Sequence, residues 1–292
     1  MPNFKIGDVV ARKSYNYDVL FKVVGYNLNG QIDLIGINVR ITADAYEYDL
    51  KLINSDELKL KLKNIENNRK ERINRSISSI NRKNYYNRDN NYMYYQNNYR
   101  DVYTKDKLFK KPGKVLHIDG DEEYTLKCRE MYKKLGINAY VLNIPESEQY
   151  RQVYNLLKKV NPNILIITGH DAFIKRRNDI YNIDNYKNSK YFVQSVLEAR
   201  RYEHSLDDLV IYAGACQSYY EAIISAGANF ASAPKRVLID MTDPIIVAQT
   251  IAYTPVNEIV SLDNIFNNTR EGINGIGGIQ TKGQYRVGMP GI

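Results

Sequence analysis

Two short apolar stretches decide the fold of this chain: Asn163-Ile-Leu-Ile-Ile-Thr-Gly-His170-Asp171 and Leu209-Val-Ile-Tyr-Ala-Gly-Ala-Cys216-Gln217. Each is typical of a buried parallel strand that ends in a turn of small residues. In an open α/β sheet, ligands bind beyond the carboxyl ends of the strands. If the two strands are neighbours, about 4.8 Å apart, His170 and Cys216 meet at one edge of the sheet. The pattern therefore predicts a cysteine nucleophile beside a histidine base.

Predicted strands and helices alternate throughout residues 111–292. The strands include Val115-Leu-His-Ile118 and Ala139-Tyr-Val-Leu142, and helices with one apolar face follow them. Because each strand is followed by a helix, we predict right-handed crossovers and a doubly wound, mostly parallel α/β sheet.

Residues 1–53 alternate apolar and polar side chains, with turn signals at Asn29-Gly30 and Gly36. We interpret them as a small SH3-like β-barrel. Residues 54–110 begin with a helical pattern through Ile65 and then consist mostly of Asn, Arg, Tyr and Ser. The burial of so few aliphatic side chains does not offset the conformational entropy that this segment would lose on folding. We therefore predict a basic, partly disordered linker. It carries seven of the eight excess positive charges of the chain.

The composition excludes several classes of protein. The 292 residues contain no apolar run long enough for a membrane span, and the N-terminus does not resemble a signal peptide. We therefore expect a soluble, intracellular protein. Two cysteines are too few for a disulfide framework, and three scattered histidines provide no metal-ligand spacing. Gly275-Ile-Gly-Gly278 lacks the Lys-Ser/Thr pair of a phosphate-binding loop, so we expect no metal and no cofactor.

Cys216 is the stronger of the two cysteine candidates. It follows the small pair Gly214-Ala215 and precedes a predicted helix, whose dipole is expected to lower the pKa of its thiol. Cys128 lies on the apolar stripe of an earlier helix and is predicted to be a core residue. The other two histidines are expected in structural or solvated positions, which leaves His170 as the base.

The order of the two stretches resembles the caspase-like clan of cysteine peptidases, which includes legumain, gingipain, clostripain and separase. In that clan one hydrophobic block ends in His-Gly and a second ends in Ala-Cys. Ala215-Cys216 matches the second block, whereas Asp171 replaces the glycine of the first. The resemblance implies a caspase-like fold and a dyad in which Cys216 attacks and His170 transfers the proton. The backbone NH groups of Asp171 and Cys216 are the expected oxyanion donors.

A larger set of motifs resembles the YabG family of sporulation-specific peptidases. The motifs are Lys114-Val-Leu-His-Ile-Asp-Gly-Asp121, Ile144-Pro-Glu-Ser-Glu-Gln149, Ile167-Thr-Gly-His-Asp171, Asn188-Ser-Lys-Tyr-Phe192, Ala213-Gly-Ala-Cys-Gln-Ser218, Gly227-Ala-Asn-Phe-Ala-Ser-Ala-Pro-Lys-Arg236 and Ile276-Gly-Gly-Ile279. This resemblance implies a protease of endospore-forming bacteria, made in the mother-cell cytoplasm, that trims spore coat and cortex-associated proteins after arginine. It also implies self-processing, which we expect at an arginine of the linker: Arg69, Arg72, Arg75, Arg82, Arg88 or Arg100.

An arginine preference requires a carboxylate in the pocket that receives the residue before the cut. In the caspase-like fold the end of the first strand contributes to that pocket, which makes Asp119 and Asp121 the first candidates. Asp240 and Asp243 are the second candidates. Capping of strand ends explains these aspartates equally well.

Two other functions remain alternatives from the sequence. A nucleic-acid-binding protein would use the basic, Tyr-rich linker for phosphate contacts and base stacking. A different cysteine hydrolase, such as an amidotransferase-like enzyme, would also suit this sheet, although its nucleophile normally precedes its histidine in the chain. We favour protein substrates and consider nucleic acid the less favoured partner.

Overall fold

The computed structural model describes residues 4–98, 109–174 and 179–288. The N-terminal part forms an antiparallel sheet in the order β4-β3-β2-β1-β5. Its strands are β1 (Val9–Arg12), β2 (Leu20–Tyr26), β3 (Ile32–Gly36), β4 (Thr42–Ala45) and β5 (Leu50–Leu52). Val10, Val23 and Leu34 are buried within it, as the alternating pattern predicts. The finer assignment to an SH3-like barrel stays a prediction.

One long helix, α1 (Ser55–Asn98), follows this sheet. The composition predicted a helix only through Ile65 and a partly disordered linker beyond it. The helix is held to the rest of the molecule by polar contacts, such as the 3.1 Å hydrogen bond between Ser76 Oγ and the side chain of Gln249. Reasoning from aliphatic content does not register such contacts, and the assignment of residues 54–110 to a partly disordered linker stays a prediction.

The larger sheet has the order β12-β11-β10-β9-β7-β8. Its strands are β7 (Val115–Asp119), β8 (Ala139–Asn143), β9 (Ile164–Thr168), β10 (Val210–Ala213), β11 (Phe230–Ser232) and β12 (Ile276–Gly278). All pairs are parallel except β11 with β12. Strands β9 and β10 are neighbours, with Ile167 opposite Ala213, as predicted. The strand order reverses at β7, because β8 lies on one side of it and β9 on the other, and ligands bind at such a reversal.

Helices cover both faces of the larger sheet. They are α2 (Glu122–Lys134), α3 (Glu146–Val160), α4 (Ser189–Tyr202), α5 (Tyr220–Ser225), α6 (Asp243–Tyr253) and α7 (Leu262–Asn268). Successive side chains of β9 pack on opposite faces of the sheet. Ile166 belongs to the same core cluster as Cys128 of α2, and Leu165 belongs to the same core cluster as Phe192 of α4. Burial on both faces explains why the strands are apolar without alternation. The predicted α/β class with a largely parallel sheet is confirmed.

A two-stranded antiparallel ribbon joins β6 (Phe109–Lys111) to β13 (Arg286–Gly288). Within residues 4–98, 109–174 and 179–288, no helix combines the length and the apolar composition that a membrane span needs.

Candidate active site

The turns after β9 and β10 converge on one oxygen atom. The backbone NH of Asp171 donates to the carbonyl oxygen of Arg40 at 3.3 Å, and that of Cys216 donates to the same oxygen at 3.0 Å. The turn before Cys216 requires Gly214, whose φ is 111°. The two NH groups predicted as oxyanion donors therefore point to a single position.

The oxygen belongs to the loop between β3 and β4, which crosses the carboxyl ends of the large sheet. Arg40 donates its backbone NH to Ile239 at 3.0 Å, and the carbonyl of Asn38 accepts from Met241 at 3.3 Å. Residue Val39 pairs with Asp240 in antiparallel fashion. Sequence reasoning identified this loop only as a turn, because nothing local indicates the distant strand ends that it contacts.

The side chain of Arg40 fills a closed pocket beside Asp119, at the end of β7. Its Nη1 lies 2.6 Å from Asp119 Oδ2, and neither side chain is exposed to solvent. Its Nη2 also donates to the carbonyl oxygen of Met241 at 3.2 Å, and the ring of Tyr124 lies under the guanidinium. Burial alone would raise the pKa of Asp119, but the charge of Arg40, the contacts with His117 and the hydrogen bond from the NH of Asp121 together hold that pKa well below its usual range.

The other three aspartates proposed for this pocket have other partners. Asp121 caps α2 by accepting from the backbone NH of Tyr124 at 2.8 Å. Asp240 forms ion pairs with Arg69 and Arg72 of α1, at 2.9 and 3.3 Å.

Asp243 accepts the backbone NH groups of Asp240 and Arg270, each at 3.0 Å. Burial and the nearby charge of Asp240 raise its pKa to about 7. Of the four candidates, Asp119 is the one in contact with a guanidinium in the pocket.

His170 and Cys216 are both removed from solvent in this conformation. The Sγ of Cys216 accepts a hydrogen bond from the NH of Ile239 at 3.0 Å, and burial raises the pKa of its thiol to about 12. The expectation of a lowered thiol pKa is therefore wrong here, because helix α5 begins only at Tyr220 and desolvation dominates. Burial also lowers the pKa of His170 to about 4. Its Nε2 is 3.8 Å from Asp121 Oδ2 and has no hydrogen-bond partner among the described residues.

Three buried side chains near this pocket are of types that bind metals. One ligand atom from each of His117, Asp119 and Cys128 lies within 4.8 Å of the others. Arg40 already contacts two of them, at 2.6 Å to Asp119 and 4.0 Å to the sulfur of Cys128. Burial raises the pKa of Cys128 to about 12, so its thiol is neutral beside Arg40. The cluster is better described as the wall of the arginine pocket.

Comparison with known proteins covers both sheets and the helices in a single match. The family model described as YabG peptidase U57 matches residues 5–290. The chain belongs to the YabG peptidase family. It is 40% identical over 294 residues to the sporulation-specific protease YabG of Bacillus subtilis (strain 168), and the alignment covers 98% of each protein. The family membership expected from the motifs is confirmed.

Two of the motifs that resemble the YabG family surround Asp171. Its carboxylate accepts hydrogen bonds from Ser189 Oγ at 2.5 Å, Ser218 Oγ at 2.9 Å and the NH of Asn188 at 2.7 Å. These bonds are made by the side chain, so the backbone NH of Asp171 stays available for a carbonyl oxygen. Asp171 thus links the turn after β9 to the turn after β10.

A third motif contains Glu146, which sequence reasoning missed as part of the site. Its Oε1 accepts the backbone NH of His170 at 2.6 Å, while Asn188 donates to the carbonyl of His170 at 2.7 Å. A Cβ at Gly120 or Gly169 would collide with the Glu146 carboxylate. These two glycines, each directly after a strand, were the signal in the sequence that another group approaches there.

Proposed function

We propose that this YabG-family chain is a cysteine endopeptidase with a caspase-like α/β domain that cleaves proteins after arginine. The observation that carries the proposal is the convergence of the NH groups of Asp171 and Cys216 on one carbonyl oxygen. Two preorganised donors at the nucleophile are what acyl transfer requires, because negative charge develops on that oxygen. His170 follows β9, the strand next to β10, and lies in the same turn as Asp171, whose NH is one of the two donors.

The proposed reaction uses His170 and Cys216 as a dyad. The thiol of Cys216 transfers its proton to His170, and the sulfur attacks the scissile carbonyl carbon. The NH groups of Asp171 and Cys216 stabilise the oxyanion; loss of one such donor typically costs about 3 kcal/mol. His170 then protonates the leaving amine, and a water molecule activated by the same imidazole hydrolyses the thioester.

The arginine preference rests on the pocket beside Asp119. A guanidinium fits there between a carboxylate, a main-chain carbonyl and an aromatic ring, as Arg40 does. Lysine offers one ammonium point charge and cannot reproduce these directed contacts. We propose Asp119 as the residue that reads arginine, whereas Asp121, Asp240 and Asp243 support the surrounding structure.

The natural substrates that we propose are spore coat and cortex-associated proteins. The relative from Bacillus subtilis is named a sporulation-specific protease, which supports a mother-cell setting for this chain as well. Self-processing remains part of the proposal. Within the linker, Arg69 and Arg72 are engaged with Asp240, and Arg75 is exposed. Arg100 lies outside the described residues, as do the side chains of Arg82 and Arg88.

The nucleic-acid alternative requires free basic side chains in the linker. Arg69 and Arg72 lie in that segment, and both form ion pairs with Asp240 instead. The family membership favours the peptidase proposal, and these pairs remove two of the linker arginines from contact with phosphate.

Two peptides that differ only in arginine or lysine before the cut test the proposal. We expect the wild type to hydrolyse the arginyl peptide at least about tenfold faster, because an ammonium group cannot contact both the Asp119 carboxylate and the Met241 carbonyl as a guanidinium does. Cys216→Ala and His170→Ala should each reduce turnover at least about 1,000-fold. Cys128→Ala is the control for loss of a buried thiol: Cys128 lies in the wall of the arginine pocket but outside the dyad, so its loss should reduce turnover far less than the loss of Cys216. Substantial turnover by folded Cys216→Ala protein would contradict the assignment of the nucleophile.

A further inference from the structure

We propose that the loop 36–41 is the chain's own first substrate, and that the peptide bond between Arg40 and Ile41 is the bond that it cleaves in itself. The inference rests on the proposed function and adds to it a specific bond and a specific order of events. It places self-processing at the tip of the β3–β4 connection instead of in the linker.

The main chain of this loop is bound as an extended peptide substrate would be. The carbonyl oxygen of Arg40 accepts both proposed oxyanion donors. The two bonds to Ile239 and Met241 on the preceding side form a short antiparallel pairing, which is the usual way in which a sheet edge receives a peptide. On the following side, the NH of Thr42 donates to the carbonyl of Asp171 at 3.3 Å. Together these contacts place Arg40 before the cut and Ile41 after it.

The side chain of Arg40 supports the same alignment. A buried guanidinium is unfavourable unless it is paired, and the pairing partner here is Asp119, 79 residues away in the chain. The Nε of Arg40 has no hydrogen-bond partner among the described residues. If Arg40 only stabilised the N-terminal sheet, its side chain would have no reason to lie buried beside Asp119 at the end of β7. Its burial follows from the pocket that the proposed function assigns to the arginine of a substrate.

Neighbouring side chains hold the loop in the cleft. The hydroxyl of Tyr124 donates to the carbonyls of Gly36 and Val39, at 2.8 and 3.1 Å. Asn38, which has a φ of 71°, receives a hydrogen bond on its side-chain oxygen from Arg69 of α1 at 2.6 Å. Asn38, Val39 and Arg40 are all buried. No other substrate can therefore occupy this position until the loop leaves it.

The cleavage has two steps: a thioester forms as the peptide bond breaks, and water then hydrolyses the thioester. The Cys216 thiol gives its proton to His170, and its sulfur bonds to the carbonyl carbon of Arg40. The bond from that carbon to the nitrogen of Ile41 breaks, and His170 returns the proton to the new amine. Water then hydrolyses the thioester, which restores the thiol and leaves a carboxylate on Arg40.

The cut would free the cleft without separating the two fragments. Ile35 and Thr42 pair across β3 and β4 on either side of the loop, so both pieces stay in the N-terminal sheet. The stretch that ends at Arg40 loses its covalent tether to Ile41 and can withdraw from the pocket. Because the loop sits in its own cleft, we expect the cleavage to be intramolecular.

Mass spectrometry and N-terminal sequencing of the purified full chain test the inference. We expect wild-type protein to give a fragment that begins at Ile41, at a rate independent of protein concentration over a 100-fold range. Hydrolysis of an arginyl reporter peptide should begin with a lag that matches the appearance of this fragment. Cys216→Ala and Arg40→Gln should lack it. Arg12→Gln is the matched control, because Arg12 is an arginine of the same sheet, paired with Asp49; it should be cut like the wild type.

The outcomes separate this inference from the proposed function. Wild-type protein that hydrolyses the arginyl reporter while its Arg40–Ile41 bond stays intact would overturn the inference and leave the peptidase proposal standing. Wild-type protein that cleaves neither the reporter nor itself would overturn both. Because the decisive measurement is made on the wild type, a folding defect in Arg40→Gln would not affect it.

Discussion

His170 and Cys216 are both uncharged in this conformation. Burial lowers the pKa of His170 to about 4 and raises that of Cys216 to about 12, so the pair exists as imidazole and thiol near neutral pH. Burial disfavours a thiolate–imidazolium pair while the loop 36–41 is in place, so we expect cleavage of the loop itself to be slower than later turnover. This uncharged state is the one that we propose precedes the first cleavage.

The lowered pKa of His170 has a measurable effect on stability. Between its unfolded pKa of about 6.5 and its folded pKa, only the unfolded state binds the proton. The His170 contribution is therefore present above about pH 6.5 and is lost as the pH falls toward 4, and it amounts to about 3 kcal/mol.

Urea unfolding followed by circular dichroism checks this effect, with Cys216→Ala as the background to prevent self-cleavage. The free energy of unfolding should fall between pH 6.5 and pH 4, and the fall should be smaller when His170→Gln is added. An identical pH profile for the two proteins would contradict the burial of a neutral His170. His117 is also buried with a lowered pKa, but it contributes equally to both proteins.

Among the secondary-structure elements, α1 shows what composition cannot predict. The strands of the α/β domain were predictable because each buried strand concentrates apolar residues in a short run, as Ile164–Thr168 does. Helix α1 has no comparable run, and its attachment depends on single polar residues such as Arg69 and Ser76. The same limit applies to the loop 36–41, whose partners are the distant strand ends.

Removal of one arginine from α1 tests this attachment. Arg69→Ala leaves the buried carboxylate of Asp240 with only part of its compensation, from Arg72. We expect a loss of about 3 kcal/mol in the free energy of unfolding, measured in the Cys216→Ala background. Arg75 lies exposed on the same helix, and Arg75→Ala should change the free energy of unfolding by less than about 0.5 kcal/mol. Equal effects of the two changes would show that α1 does not depend on this ion pair.

For the whole molecule, the N-terminal sheet and the α/β domain are joined through the candidate site itself. The sequence predicted both units and, from the two strand ends, the candidate dyad. It did not predict how the units dock, because Arg40 and Asp119 each look like ordinary polar residues in their own segments. Only the folded chain brings them within 2.6 Å.

Calorimetry of Asp119→Asn in the Cys216→Ala background tests the joint between the two units. The change leaves the buried charge of Arg40 without its carboxylate, and we expect a loss of about 3–5 kcal/mol with separate melting of the two units. Glu198→Gln is the control, since it removes an ion pair with the exposed Arg201. It should leave a single transition at an unchanged temperature. A single unchanged transition in Asp119→Asn would refute the coupling.

The carboxylate of Asp171 also has a consequence for the history of the family. Ser189 and Ser218 both donate to it, so a mutation of Asp171 to glycine would leave two buried hydroxyl groups without that acceptor. We expect the three positions to vary together among relatives: lineages that keep the aspartate keep both serines, and lineages with glycine carry apolar or small side chains at the other two. Family members that keep the aspartate but have lost either serine would contradict this expectation.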